Sequence, residues 1–291
     1  MLNLIRAEWK KAAGHRWLAG FLIWIFPVGA LVVYILAIIA AIFSESVVVD
    51  FGLADAQWTD VTNVWDILSN FPANIITRMP ILAFVATLFA GEFEWGTWKN
   101  ILPRNKRSAL ILAKFLTFGA YVLCSLAAMS LIIGVGNWLG TSIAGLPYGP
   151  EATLDTILEF AGDYTLSAVL AFASTLIVVS FAAFAALITR KIVGGIMIGF
   201  LISIIEPNTW LGLSFLGKLL NNPDLINLQI YMPSYSIGNV NSWIRFGHAL
   251  QLEPLITSTA SFGLSLIMVC TWVIGLIALV IHFFQHQDIS T

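Results

Sequence analysis

Six long apolar stretches fill this 291-residue chain, and its basic residues gather in alternate gaps between them. A run of about 20 apolar residues crosses a bilayer as a helix. A chain built from such runs must satisfy its backbone polar groups inside helices. The stretches place spans at 17–43, 71–90, 110–139, 164–189, 192–206 and 261–284. Only 10% of residues are charged, against about 25% in a soluble domain, so the bulk of the chain has lipid as its solvent. The expected fold class is an all-α integral membrane protein with six transmembrane helices. The first stretch is too long for a signal-peptide core of roughly 7–15 residues, and is expected to be a retained span. The fifth is short. Either it runs past Pro207 with a kink, or a re-entrant element follows it, shielded from lipid.

Sidedness follows from the cations. Arg6, Lys10, Lys11 and Arg16 precede the first span. Lys99, Arg104, Lys106, Arg107 and Lys114 follow the second, and Arg190 and Lys191 follow the fourth. Only Arg78, Lys218 and Arg245 lie elsewhere. Basic residues accumulate in short cytoplasmic loops, so both termini are expected in the cytoplasm. Acidic residues lean the other way, with Glu45, Asp50, Asp55, Asp60 and Asp66 in one outer gap and Glu151, Asp155, Glu159 and Asp163 in the next.

Residues 1–16 have Leu2, Ile5, Trp9 and Ala12 or Ala13 at helical spacing beside Arg6, Lys10 and Lys11, the pattern of a helix lying in the inner interface. Residues 17–291 form a single transmembrane domain in this reading. Its outer gaps are 44–70, 141–163 and 207–260, and its distinctive inner loop is 91–110. The first outer gap is expected to be a small cap, and the second a turn followed by a short acidic helix. The third is rich in Pro and Gly. Its short apolar pieces suit re-entrant or interfacial outer helices between spans five and six.

Little here suggests chemistry. Gly212 to Lys218 nearly spells a phosphate loop, but the position after the lysine is Leu219 and no strand precedes it. His282 and His286 lack the intervening Glu of a zinc site. No nucleophile–base arrangement is visible, so no catalytic, cofactor-binding or metal-binding residue is assigned. A net charge of −2 gives no reason to expect nucleic acid. Cys124 and Cys270 read as small packed hydrophobes. Gly195 with Gly199, and Gly136 with Gly140, place small residues one turn apart, where backbones approach closely. The partner helix lies in the same chain or in a second copy. Arg78 and Glu206, near outer span ends, either snorkel to the interface or serve a function.

The most informative segment is the inner loop. Glu92 and Glu94 stand where the second span leaves the bilayer. Gly96 permits a sharp reversal. Thr97 is placed to cap a short helix, Trp98–Leu102, by accepting a backbone N–H, and Pro103 ends it. Trp95, Trp98, Ile101 and Leu102 are its apolar members. A short helix bearing such knobs suits a groove on a partner.

This loop resembles that of the permease subunits of type-2 ABC exporters, the ABC-2 family. The matching residues are Glu92 or Glu94, Gly96, Thr97, Leu102, Pro103, Arg107 and Lys114. Among ABC-2 members, the chain is most similar to small permeases linked to bacitracin, lantibiotic or multidrug export. The resemblance implies two permease copies, or one paired with a similar permease, in a prokaryotic inner membrane. It also implies separate ABC ATPase subunits holding ATP and Mg, with the Glu92–Arg107 segment as coupling helix. The expected function is ATP-driven export of an amphiphile, a peptide, drug or lipid. The alternatives are an ABC-linked docking or force-transmitting complex that moves no solute, and an ATP-independent scaffold or channel.

Overall fold

The computed structural model describes residues 2–14, 22–43, 56–69, 75–101, 105–251 and 258–288. Among these, every regular element is helical. The described residues form ten helices: α1 (Leu2–Gly14), α2 (Ile25–Phe43), α3 (Ile75–Glu94), α4 (Trp98–Ile101), α5 (Arg107–Ile143), α6 (Leu154–Thr189), α7 (Ile192–Ile205), α8 (Thr209–Leu219), α9 (Pro233–Phe246) and α10 (Phe262–His286). Two 3-10 helices, Trp58–Trp65 and Pro223–Tyr231, and a single turn at Asp66–Ser69 complete the set.

By length and composition α5, α6 and α10 are able to cross a membrane, and the pair α7–α8, bent by 63°, counts as a fourth span if taken as one. The apolar part of α2, Ile25–Ala40, is shorter, and α3 has 20 residues interrupted by Pro80. The break between α7 and α8 falls at Glu206–Asn208, around Pro207. That bent pair is either a broken span or a re-entrant loop, the two alternatives offered by the sequence.

The chain divides into two compact units: residues 1–6, 68–115 and 170–291 in one, and 7–67 and 116–169 in the other. In the first, α7 packs along α3 and α6 through small residues. A Cβ on Gly195 would stand 2.8 Å from Ala186 Cβ and 3.0 Å from Ala86 Cβ. One on Gly199 would stand 2.7 Å from Ala182 Cβ and 2.9 Å from Leu82 Cδ2. These glycines therefore serve a seam within the chain, one of the two alternatives left open above. After α8, the 3-10 helix and α9 fold into a polar-pinned cap. Asn239 donates to Ala260 O and Ser265 Oγ and accepts from Leu250 N, while Ile230, Tyr235 and Ala260 form its small core. Helix α9 was not anticipated from the sequence, although Pro233 at its first turn and Gly247 just past its end are proper helix punctuation.

In the second unit α2 packs on α5. Tyr34 OH donates to Asn137 Oδ1 at 2.7 Å, and Ser125 Oγ donates to Ile23 O at 2.7 Å. Gly136 makes room for Tyr34, whose Cδ1 would lie 2.3 Å from an added Cβ; Gly140 is also buried. In α1, Trp9 stacks on Tyr121 at 4.1 Å, and Ala12 is buried. Helices α5 and α6, of 37 and 36 residues, are each roughly 55 Å long at 1.5 Å per residue, well beyond a hydrocarbon core of about 30 Å. The expected separate acidic helix is thus the continuous start of α6, a correction to the sequence reading. Helix α5 ends at Gly145, whose φ of +67° closes the turn: Leu146 N–H bonds to Thr141 O and Gly145 N–H to Ser142 O. The first outer gap, where described, holds the 3-10 helix and the turn Asp66–Ser69, with Trp58 Nε1 donating to Pro150 O. Cys124 and Cys270 lie on exposed helix faces rather than in packed interiors.

The seam makes a two-sided prediction. Gly199→Ala should lower the melting temperature in detergent, by about 1–3 kcal/mol of stability. Gly212→Ala, where nothing lies within 4 Å, should leave it unchanged or raise it through helix propensity. Equal behaviour of the two variants would contradict the seam.

Candidate functional site

Helix α3 ends in a Schellman turn. Thr97 N–H bonds to Glu92 O at 3.0 Å and Gly96 N–H to Phe93 O at 3.2 Å, and Gly96 takes the left-handed conformation with φ +65° that this geometry requires. The Gly-Thr pair is therefore the C-terminal stop of α3. The Thr97 hydroxyl points back and donates to Glu92 O at 3.5 Å. Ring atoms of Trp95 fold onto the preceding turn, within 3 Å of where a Gly91 Cβ would stand.

Beneath this turn lies a buried ion pair. Lys114, on the second turn of α5, is 0% exposed and Glu92 is 1% exposed. The ammonium donates to Glu92 Oε1 at 3.0 Å and to Leu88 O at 2.7 Å. It also stands 5.4 Å from the Trp98 ring centroid, a cation–π distance. Trp98 is only 2% exposed and packs on Phe93 and Phe284 with centroids 5.5 and 4.7 Å away. It is an internal wedge, not a knob offered to a partner, which corrects the reading made from its spacing. Trp95, at 47% exposure, is the large apolar side chain of this turn that reaches the surface.

Two other charges of the loop, Glu94 and Arg107, cap helices. Glu94 Oε1 accepts from Ile192 N–H at 2.8 Å, placing a carboxylate at the positive N-terminal end of α7. Arg107 Nη1 donates to Phe284 O, Gln285 O and Gln287 O, placing a cation over the negative C-terminal end of α10. Gln287 Nε2 donates to Leu187 O near the end of α6. Arg190, a non-glycine residue at φ +54°, donates to Asp288 O at 2.7 Å and lies 5.7 Å from the Phe93 ring.

Of the loop residues singled out by sequence, Glu92, Glu94, Trp95, Gly96, Thr97, Trp98 and Arg107 are brought together here, and Ile101 closes α4 and accepts from Asn105 Nδ2. Leu102 and Pro103 lie outside the described residues. Gly195 and Gly199 serve the seam described above, and Gly136 and Gly140 belong to the other unit. Arg190, Phe284 and Gln287 were not anticipated: an aromatic and an amide at the end of an apolar helix carry no signal until the chain is folded. Elsewhere in this unit, Arg78 does not snorkel. It is buried, donates to Leu68 O at 2.5 Å and to Ser174 Oγ at 2.9 Å, and interacts electrostatically with Glu206. Glu206 in turn accepts from Ser234 N–H at 2.8 Å, at the start of α9. The phosphate-loop-like run at 212–218 lies within helix α8. His286 Nδ1 lies 2.9 Å from His282 O.

A helical chain with several spanning segments, and a charged turn locked between the ends of its apolar helices, has the make-up of a multi-pass membrane transport subunit. The chain belongs to the ABC-2 family of transporter proteins, whose family profile matches residues 4–206. It is an ABC transporter permease; such chains are generally not enzymes themselves and generally partner with an ABC ATPase. No curated protein and no solved structure matches the chain.

Removing one member of a buried ion pair strands the other, at a cost of about 3–5 kcal/mol. Lys114→Met and Glu92→Gln should each sharply lower the melting temperature of the purified protein. The double variant should recover much of the loss. Additive losses would mean that the two groups are not coupled.

Proposed function

We propose that the chain is the permease of an ATP-driven exporter in a prokaryotic inner membrane. It crosses six times, with both termini cytoplasmic. Two copies, or this chain and a similar permease, pair in the membrane, and separate ATPase subunits hold ATP and Mg. The 17–291 segment acts as one transmembrane domain, with residues 1–16 as an interfacial helix that adds a second contact. The Glu92–Arg107 segment is the coupling element, and the exported substrate is an amphiphile.

The observation that carries this reading is the way the loop is fastened. Its base is held by the Glu92–Lys114 pair, its side by Trp98 against Phe284, and its Glu94 and Arg107 by the ends of α7 and α10. Displacement of the turn by a bound partner would reach α3, α5, α7 and α10 together. Such a partner shifts the permease between states only through contacts that differ in the two. Trp95, exposed beside Gly96, supplies an aromatic anchor of the kind that dominates interfaces. The cationic loops support the proposed cytoplasmic placement of this end. The apolar spans support an amphiphilic cargo.

Trp95→Ala in the tagged full chain should leave its thermal unfolding nearly unchanged while cutting recovery of a phosphate-loop ATPase by about tenfold, a loss typical of an interface hot spot. Undiminished co-purification would refute the placement of the contact. The absence of any ATPase from the wild-type preparation would refute the exporter reading itself.

A further inference from the structure

We propose that His282 and His286, at the end of α10, form a surface site for one divalent late transition-metal ion, of the copper(II) or nickel(II) kind. The site does not depend on the exporter reading.

The two residues are four apart in one helix and so share a face. Both are exposed. His286 Nδ1 lies 2.9 Å from His282 O. A carbonyl oxygen only accepts, so Nδ1 carries a proton, and in the neutral ring the lone pair is left on Nε2. Ligating histidines are held in this way, one nitrogen donating to a carbonyl and the other facing the metal.

The backbone beneath the pair is well anchored. Phe283 meets Phe184 edge to face at 5.2 Å, and Phe284, fully buried, packs on Trp98 at 4.7 Å. The last turn of α10 is therefore tied into the core while its two imidazoles stay outside. A pair presented on a packed helix loses little freedom when it closes on an ion.

Ring spacing selects the kind of ion. The two ring centroids are 4.4 Å apart. Adding roughly 1.2 Å from ring centre to nitrogen to a metal–nitrogen bond of about 2.0–2.1 Å sets each ring centre about 3.2 Å from a shared ion. Two such rings at a right angle lie about 4.5 Å apart, and at the tetrahedral angle about 5.2 Å. The observed spacing fits the right angle of tetragonal copper(II) and nickel(II) better than the tetrahedron of zinc.

Charge agrees with a nitrogen-loving ion. No group of three or more His, Cys, Asp or Glu side chains able to hold a metal occurs among the described residues, so the pair supplies two ligands and water the others. Arg107 and Arg190 donate to the carbonyls of residues 284, 285, 287 and 288, which brings two cations to the same helix end. Calcium and magnesium need oxygen ligands and find none to offset that charge. Neutral imidazole suits copper and nickel without carboxylate help. An ion held by both rings would staple the turn whose Phe284 and Gln285 carbonyls receive Arg107.

The test uses the full chain in nanodiscs, purified through a tag free of histidine. Calorimetric titration should give one copper(II) ion per chain, with affinity falling from copper to nickel to cobalt and no binding of magnesium. Nickel should bind at least as tightly as zinc. Electron paramagnetic resonance of the copper form should show two coordinated nitrogens. His282→Gln and His286→Gln should each weaken copper binding at least about tenfold, since the second ligand binds intramolecularly. Each should leave one nitrogen in the spectrum, and without metal each should melt as the wild type does. His15 and His248 remain in both variants. Copper affinity unchanged in the double variant, a single coordinated nitrogen in the wild type, zinc preferred over nickel, or no saturable binding would each overturn the site. The nitrogen count in the wild type decides the matter even if a variant fails to fold.

Discussion

The ion pair between Glu92 and Lys114 is the interaction on which the charged end of the first unit depends. Burying two charges away from water costs several kcal/mol for each ion, and their attraction only offsets that when geometry and further hydrogen bonds are good. Here the ammonium also bonds Leu88 O and faces the Trp98 ring. An apolar pair of equal volume would pack comparably well, so net stability does not account for the arrangement. What the pair supplies is register: one rotational setting of α5 on α3 allows the contact, and that setting brings Arg107 to the end of α10.

The same economy recurs at both ends of the unit. Helix termini leave backbone donors and acceptors without intrahelical partners, and lipid offers no water to satisfy them. Glu94 and Glu206 meet the N-termini of α7 and α9, while Arg107 and Gln287 meet carbonyls at the ends of α10 and α6. These side chains come from distant parts of the chain. Each cap therefore also fixes the position of one helix end against another element.

Much of this was legible from the residues alone. The all-helical membrane class followed from apolar run length, and the reversal at Gly96 from a glycine placed between two helical patterns. Proline at 207 marked the break in the fifth apolar stretch. Other features depend on three-dimensional neighbours that spacing does not report. Trp98 looks like a surface knob until Phe284, 186 positions later, is found against its ring. The acidic run at 151–163 merged into α6 because no proline or glycine after Leu154 was placed to stop the helix; Gly162 lies within it at a tolerable cost. Helix α9 was hidden by its polar composition, because its buried Ser236 and Asn239 are satisfied by Ile230 O and by Ser265 Oγ rather than forming an apolar stripe.

The small-residue seam formed by Gly195, Gly199, Ala182, Ala186 and Ala86 has a mechanical corollary. Interfaces made of long side chains yield by rotamer changes, which let one helix creep along another. Alanines and glycines possess no such adjustable joints. Sliding α7 along α6 would have to pass through a steric barrier and re-engage a full turn later, about 5.4 Å away. Displacements smaller than that leave α6 and α7 moving together where this seam joins them.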